Sequence, residues 1–284
     1  MERTPFTAPT ALGAIAGWVA GEGVPVLVLH GGPGMGYEYL DPMADEVLAG
    51  PYRVAVFQQR GLSPSTLEGP FTIARAVADV EAVLDHLGWD RALVVGHSWG
   101  GHLALHVALA LPHRLLGVLA VDPLGGVGDG GAAAFGAELL RRVPPDRVAR
   151  ARELDALDSS GSATVGQQVE LLEILWPSYF ATPEGAPPFP AVRLGQEASD
   201  GLWADLVEHL PTLDASLATI GLPVGVLSGA ESPMPPHVAA VATADRIPGA
   251  WCVLEPDAGH FTWVERPGCV LSALDRLSGR VPST

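Results

Sequence analysis

The chain has 284 residues, of which 48% are hydrophobic and 17% charged, with a formal net charge of −16. This is the composition of a globular chain, long enough for one large core with an insertion. The acidic balance opposes binding to polyanions, so neither nucleic acid nor an anionic membrane surface is an expected partner. All 16 basic residues are arginines, which removes Schiff-base chemistry, pyridoxal phosphate attachment and a phosphate-loop lysine. No apolar run reaches membrane-span length, and Met1 to Thr10 lacks a charged-then-apolar leader pattern, so a cytoplasmic protein is expected. Cys252 and Cys269 have no metal-like spacing and read as two reduced thiols.

In chain order, Pro25 to Leu29 is a short apolar run leading into the loop His30 to Gly36. Asp41 to Leu48 reads as a helix and Arg53 to Phe57 as a strand. Thr72 to Leu87 carries Ile73, Val77, Val80, Val83, Leu84 and Leu87 at helical spacing. Ala92 to Val95 is a strand, Gly100 to Ala110 a helix and Leu116 to Val121 a strand. From Gly125 to Pro211 the pattern changes to helical stretches broken by proline-rich turns. Alternation then resumes with Val224 to Leu227, His237 to Ala244, Trp251 to Leu254 and Pro267 to Leu277. Such alternation predicts an α/β protein with a mostly parallel sheet covered by helices on both faces. The expected division is a core of residues 1–124 and 214–284, interrupted by a helical cap of residues 125–213.

The strongest chemical signal is Gly96-His97-Ser98-Trp99-Gly100, set between a valine-rich strand and an alanine- and leucine-rich helix. A G-x-S-x-G turn in that setting is a nucleophile elbow. The glycines permit a sharp strand-to-helix turn that leaves the serine exposed, and the helix N-terminus favours negative charge beside it. Ser98 is therefore the expected nucleophile, outweighing a plain helix-capping serine. A serine needs a base, and His260, in Asp257-Ala258-Gly259-His260 just after the last strand, is the expected one among nine histidines. Asp257 lies too near His260 in sequence to partner it and is read as shaping the loop. The loop His30-Gly31-Gly32-Pro33-Gly34 lets backbone approach a substrate carbonyl, so the N–H groups of Gly32 and Trp99 form the expected oxyanion hole. His30 is read as a buried anchor. His102 and His106 have i, i+4 spacing but lack the glutamate of a zinc-protease motif and a third ligand, so they read as packing residues. No metal and no cofactor are expected.

Three motifs, HGGPG at 30–34, FQQRG at 57–61 and GHSWGG at 96–101, with DAGH at 257–260, make the chain resemble the α/β-hydrolases and, within them, the proline iminopeptidase family. The resemblance spans the sheet domain and implies acyl transfer from an ester, amide or thioester through an acyl-enzyme. It also implies a catalytic acid in a stretch like G-x-x-D-P. Here that stretch is Gly229-Ala230-Glu231-Ser232-Pro233, with Ser232 at the acid position. Asp122, closing the strand Leu116 to Val121, is the preferred replacement, and Glu231 is the alternative. A serine at the elbow excludes the aspartate-nucleophile dehalogenases and epoxide hydrolases of the same fold.

Within the cap, Glu173, Trp176 and Tyr179 are the expected substrate-binding residues. Phe180 clusters with the two aromatic residues, and Glu170 is a further candidate to receive a substrate amine. The leading expectation is a serine hydrolase cleaving a small amide or ester, aminopeptidase-like by resemblance. A carboxylesterase or thioesterase of small-molecule metabolism is the alternative, favoured if the cap pocket lacks carboxylates. A non-catalytic ligand-binding homologue is the third reading. A small-molecule substrate is the expected partner, and the oligomeric state is left open.

Overall fold

Successive residues of a strand point to opposite faces, so strands that are apolar throughout must be covered on both sides. A computed structural model describes residues 1–281 and shows this arrangement. Its strands are β1 (Thr4–Thr10), β2 (Gly13–Gly21), β3 (Val24–Leu29), β4 (Tyr52–Phe57), β5 (Ala92–His97), β6 (Leu115–Val121), β7 (Val224–Gly229) and β8 (Trp251–Glu255). They form one sheet in the order β1-β2-β4-β3-β5-β6-β7-β8. From β4 to β8 every pairing is parallel, whereas β2 runs antiparallel to both β1 and β4.

On one face, Leu27, Leu29, Val94, Val118 and Ala120 pack against α2 (Ile73–His86) and α3 (Trp99–Ala110). On the other, Val26, Val28, Leu93, Val95, Leu119 and Val121 pack against α1 (Asp41–Leu48) and α10 (Cys269–Ser278). The remaining core-side helices are short: α8 (Ala242–Arg246), which follows a π-helical turn at His237–Val241, and α9 (Thr262–Glu265). Among the described residues no helix is long and apolar enough to cross a membrane.

Between β6 and β7 the chain is helical: α4 (Ala132–Arg142), α5 (Val148–Ser159), α6 (Val165–Leu175) and α7 (Gln196–Ser216). The first three share a small apolar cluster that includes Leu139, Leu154, Leu171 and Ile174. α7 passes straight through Pro211, so the expected end of the helical segment near 211–213 falls inside a helix. Proline removes the bond to the carbonyl four residues earlier. That residue is the exposed Val207, where water can serve the freed carbonyl.

The antiparallel pair β1 and β2 has no strong signal in the sequence pattern. β1 alternates buried Phe6 and Ala8 with exposed neighbours, and Pro5 and Pro9 interrupt it. It forms the sheet edge, one of the few places a strand tolerates proline.

Candidate active site

The site lies at the carboxyl ends of the central parallel strands, where an α/β sheet binds ligands. The elbow between β5 and α3 is built by exclusion. A Cβ on Gly96 would run into the Gly100 carbonyl, and a Cβ on Gly100 into the Leu29 carbonyl of the neighbouring strand. Ser98 takes up the resulting strain, with φ 54° and ψ −117°. It occupies the N-cap position of α3, yet its side chain makes no capping bond. Its amide donates to the Val121 carbonyl at 3.0 Å, which fastens the elbow to the end of β6.

Ser98, Trp99, Gly32 and His260 line one cavity of about 210 Å³. Gly32 follows β3 in a left-handed conformation, φ 56°, and its carbonyl accepts from Met35 N–H at 2.8 Å. That turn sets Gly32 in the wall of the cavity that Ser98 lines. His30 is fully buried and holds the loop. Its Nε2 accepts from the Gln59 amide at 3.0 Å, and its Nδ1 lies 3.0 Å from the Gly31 carbonyl. Burial lowers its pKa to about 4, so the ring is neutral at physiological pH. Gln59 joins the two halves of the expected oxyanion hole. Its amide nitrogen donates to the His30 carbonyl at 2.9 Å, and its oxygen accepts from the Trp99 indole at 2.9 Å. Arg60 of the same FQQRG motif makes a buried two-point ion pair with Asp79, at 2.6 and 2.8 Å.

A second relay crosses the site floor. Gly31 N–H donates to the Tyr39 hydroxyl at 2.6 Å, and that hydroxyl lies 2.9 Å from His97 Nδ1. His97 Nε2 lies 3.0 Å from the His260 carbonyl. The Tyr39 oxygen has one hydrogen, and the carbonyl can only accept. The directions are therefore fixed: Tyr39 donates to Nδ1, and the Nε2–H of a neutral His97 donates to the carbonyl. Burial lowers the His97 pKa to about 3, in keeping with that state. Three loops, after β3, β5 and β8, are thus tied by one chain of bonds. Neither Tyr39 nor Gln59 was assigned a role from sequence. Tyr39 sits on a short turn, Glu38–Leu40, with no motif to mark it.

His260 is 2% exposed. Its ring centroid is 5.2 Å from Phe135 of α4, 5.6 Å from Tyr179 and 4.8 Å from His97. Its amide donates to the Tyr179 carbonyl at 2.7 Å. Burial, then the neighbouring His97, push the imidazole well below its ordinary pKa. No hydrogen bond joins Ser98 to His260 among the described residues; such contacts often tighten only when substrate binds.

The structure separates the two candidate acids. The Glu231 side chain is exposed, and the residue contributes only backbone: its amide donates to the Ala258 carbonyl, and its carbonyl accepts from Arg142 at 2.9 Å. No side-chain bond joins it to His260 among the described residues. Asp122 is fully buried at the end of β6, with φ 41°. Its carboxylate accepts from the Ser228 hydroxyl at 2.8 Å and the Gly229 amide at 3.2 Å. Burial raises its pKa well above the usual carboxylate range, while these donors pull it back down. Asp122 makes no ion pair with His260 among the described residues. The group beside His260 Nδ1 is instead the Ser232 hydroxyl, at 3.5 Å.

Cavity walls come largely from the helical segment: Phe135, Leu172, Trp176, Tyr179, Phe189 and Trp203. The expectation for Trp176 and Tyr179 agrees with this placement, whereas Phe180 is buried behind them. Glu173 does not line the cavity and its side chain is exposed. On α6 the buried residues are Leu171, Ile174 and Leu175, and Leu172 faces the cavity. That rotation turns the next residue, 100° further round the helix, towards solvent. Glu170 is likewise outside the cavity, paired with Arg150 at 2.7 Å. The carboxylate that does line the cavity is Glu38, held by Arg193 Nε at 3.0 Å. His102 and His106 face each other on α3 with their rings tilted by 58° and their Nε2 atoms 3.3 Å apart. Among the described residues no group of three or more possible ligands is placed to hold a metal ion.

Comparison with known proteins agrees with this architecture. The chain is 27% identical over 280 residues to a probable proline iminopeptidase of Leptolyngbya boryana, covering 84% of this chain and 81% of that one. It is also 27% identical over 263 residues to the putative non-heme bromoperoxidase BpoC of Mycobacterium tuberculosis, covering 89% and 93%. The crystal structure of a proline iminopeptidase of Mycobacterium smegmatis superposes with a TM-score of 0.72 at 22% identity, over 98% of each chain. A family model described as the alpha/beta hydrolase fold matches residues 24–267. The chain belongs to the α/β-hydrolase fold family and, within it, resembles the proline iminopeptidases.

Proposed function

We propose that the protein is a serine hydrolase that cleaves a small ester or thioester with an apolar acyl group, through an acyl-enzyme. The observation that carries this reading is the shared cavity. It holds a strained, uncapped serine, a buried imidazole of lowered pKa, Gly32 and Trp99 together beneath an aromatic wall. His260 Nε2 takes the Ser98 proton as Oγ attacks the substrate carbonyl. The N–H groups of Gly32 and Trp99 hold the oxyanion, aided by the N-terminus of α3. The imidazolium returns its proton to the leaving oxygen or sulfur. Water then repeats the cycle on the acyl-enzyme, with His260 as base. A low imidazole pKa keeps His260 in its proton-accepting form across neutral pH.

The cavity wall favours an ester over an aminoacyl amide. An amine recogniser needs a free carboxylate near the serine. Glu170 and Glu173 are outside the cavity, and Glu38 already carries the Arg193 guanidinium. Glu38 also sustains the second reading, an aminopeptidase, because a substrate ammonium that displaced Arg193 would find a carboxylate waiting.

The deciding experiment compares p-nitrophenyl acetate and butyrate with alanyl- and prolyl-p-nitroanilide, while a fluorophosphonate probe reports on Ser98. The expected outcome is probe labelling of Ser98, with kcat/KM for the esters at least about a hundredfold above the anilides. Preferential turnover of the anilides would transfer the assignment to the aminopeptidase. Absence of labelling and of all turnover would leave a binding protein.

A further inference from the structure

We propose that Ser232 is a positioning residue that bridges a relocated acid to the catalytic base, so that Asp122 acts on His260 through a hydroxyl rather than by direct contact. This deepens the serine-hydrolase reading and rests on it.

The placement argues for the bridge. Asp122 ends β6 and aims its carboxylate across to β7, where Ser228 and the Gly229 amide donate to it. The imidazole lies beyond, on the loop after β8. Ser232, in the turn after β7, is 4% exposed, and its amide donates at 3.2 Å to the carbonyl of Gly229, the residue whose own amide donates to Asp122. Its hydroxyl is 3.5 Å from His260 Nδ1 and also acts on the Asp122 carboxyl, where it favours the charged form.

Donor counting orders the chain. A serine hydroxyl has one hydrogen and two lone pairs. One lone pair takes the Met234 amide, at 3.2 Å. Asp122 in its charged form can only accept, so the hydroxyl hydrogen goes to it. The second lone pair is left for the Nδ1–H of His260. This order fixes the imidazole tautomer and leaves Nε2 free to take the Ser98 proton. No proton moves along the bridge during turnover. The Nδ1–H stays on the ring, and the hydroxyl transmits the field of the carboxylate to the imidazolium. A separation of 3.5 Å is the loose end of the hydrogen-bond range. Positive charge on the ring shortens such a contact, so the bridge strengthens as the imidazolium forms.

The test measures kcat/KM against pH for p-nitrophenyl butyrate in Ser98→Ala, Ser232→Ala, Asp122→Asn, the double variant S232A/D122N and the double variant S232D/D122N, each checked for native circular dichroism. Ser232→Ala and Asp122→Asn should each lower kcat/KM about tenfold to a hundredfold. The S232A/D122N variant should be no worse than the weaker of the two singles, because both act through one chain of bonds. In S232D/D122N a carboxylate meets Nδ1 directly. Its rate should recover at least about tenfold over Asp122→Asn, with the acidic limb of the pH profile about one unit above wild type. A wild-type rate and profile in Ser232→Ala, or losses that multiply in S232A/D122N, would overturn the bridge. Full activity in Ser98→Ala would instead sink the hydrolase reading, so the two failures are distinguishable.

Discussion

The two walls of the cavity are held by different forces. The floor, made by the loops after β3, β5 and β8, is a web of directed hydrogen bonds. Gln59 clamps the elbow to the glycine loop, and Tyr39 and His97 connect that loop to His260. The roof, from the chain between β6 and β7, touches the cavity mainly with aromatic and aliphatic surface. A hydrogen bond loses its strength over a few tenths of an ångström, whereas apolar contact tolerates repacking. The floor can therefore keep one geometry for one reaction. The roof can change its residues and with them the substrate. Rate should depend on the floor and substrate choice on the roof.

The largest effect that separates the two belongs to the proposed nucleophile. Ser98→Ala should lower kcat/KM at least about 10⁴-fold. Thermal unfolding should stay close to wild type, since the Ser98 hydroxyl makes no structural bond among the described residues. A stopped-flow or plate assay beside a melting curve checks both. Residual activity within tenfold of wild type would place the chemistry elsewhere.

Acid should then act on the floor and spare the roof. His30 and His102 have pKa values lowered by burial to about 4, and His97 and His106 to about 3. An unfolded chain titrates its histidines near the ordinary value of 6.5. Between those limits the unfolded state binds more protons, so stability is fully present above pH 6.5 and is lost as pH falls towards 4. Each such histidine contributes about 1 kcal/mol per pH unit in that window, and the raised carboxyl of Asp122 opposes them with only one group. The helical segment between β6 and β7 carries a single histidine, His209, on an exposed part of α7. Urea midpoints at pH 7.5, 6 and 5 should fall steeply. A flat series would mean that these rings are solvated or charged in the native state.

How far this division could be read in the sequence follows the same line. The elbow was legible because its constraint acts over five adjacent residues, Gly96 to Gly100, and the structure places Ser98, Trp99, Gly32 and His260 on one cavity as expected. Long-range contacts were not legible. Tyr39 and Gln59 matter through partners up to 58 residues away, and no local pattern records that. Glu173 failed because a helix's rotation is set by what it packs against: Leu171, Ile174 and Leu175 decide which side faces in. Asp122 is preferred over Glu231 in the sequence from its place at a strand end, and what separates the two in the structure is burial, which a strand end alone does not reveal. The role proposed for Ser232 rests on its contact with His260, 28 residues away, which no local pattern records.

The smallest expected effect sharpens the contrast most, because it sets one floor change against one roof change. Tyr39→Phe removes a single oxygen. It strips the Gly31 amide of its acceptor and His97 Nδ1 of its donor, both in a buried setting where an unsatisfied group costs about 1–3 kcal/mol. Gly31 precedes Gly32, the proposed oxyanion donor, and His97 precedes Ser98, the proposed nucleophile, so the loss should loosen both. The expected result is kcat reduced about tenfold with KM within about twofold of wild type. The loss should be the same for the acetyl and the butyryl ester. Trp176→Ala works from the other wall. Its ring packs against Phe261 at 4.9 Å and Phe189 at 5.8 Å, and its indole donates to the Pro187 carbonyl at 2.7 Å. Its removal enlarges the cavity without touching the directed bonds below. KM should change with acyl length while kcat holds within about threefold. If Tyr39→Phe shifted the acyl-chain preference, or Trp176→Ala lowered kcat equally for every ester, floor and roof would be one mechanical unit. Substrate choice and rate could then not change independently.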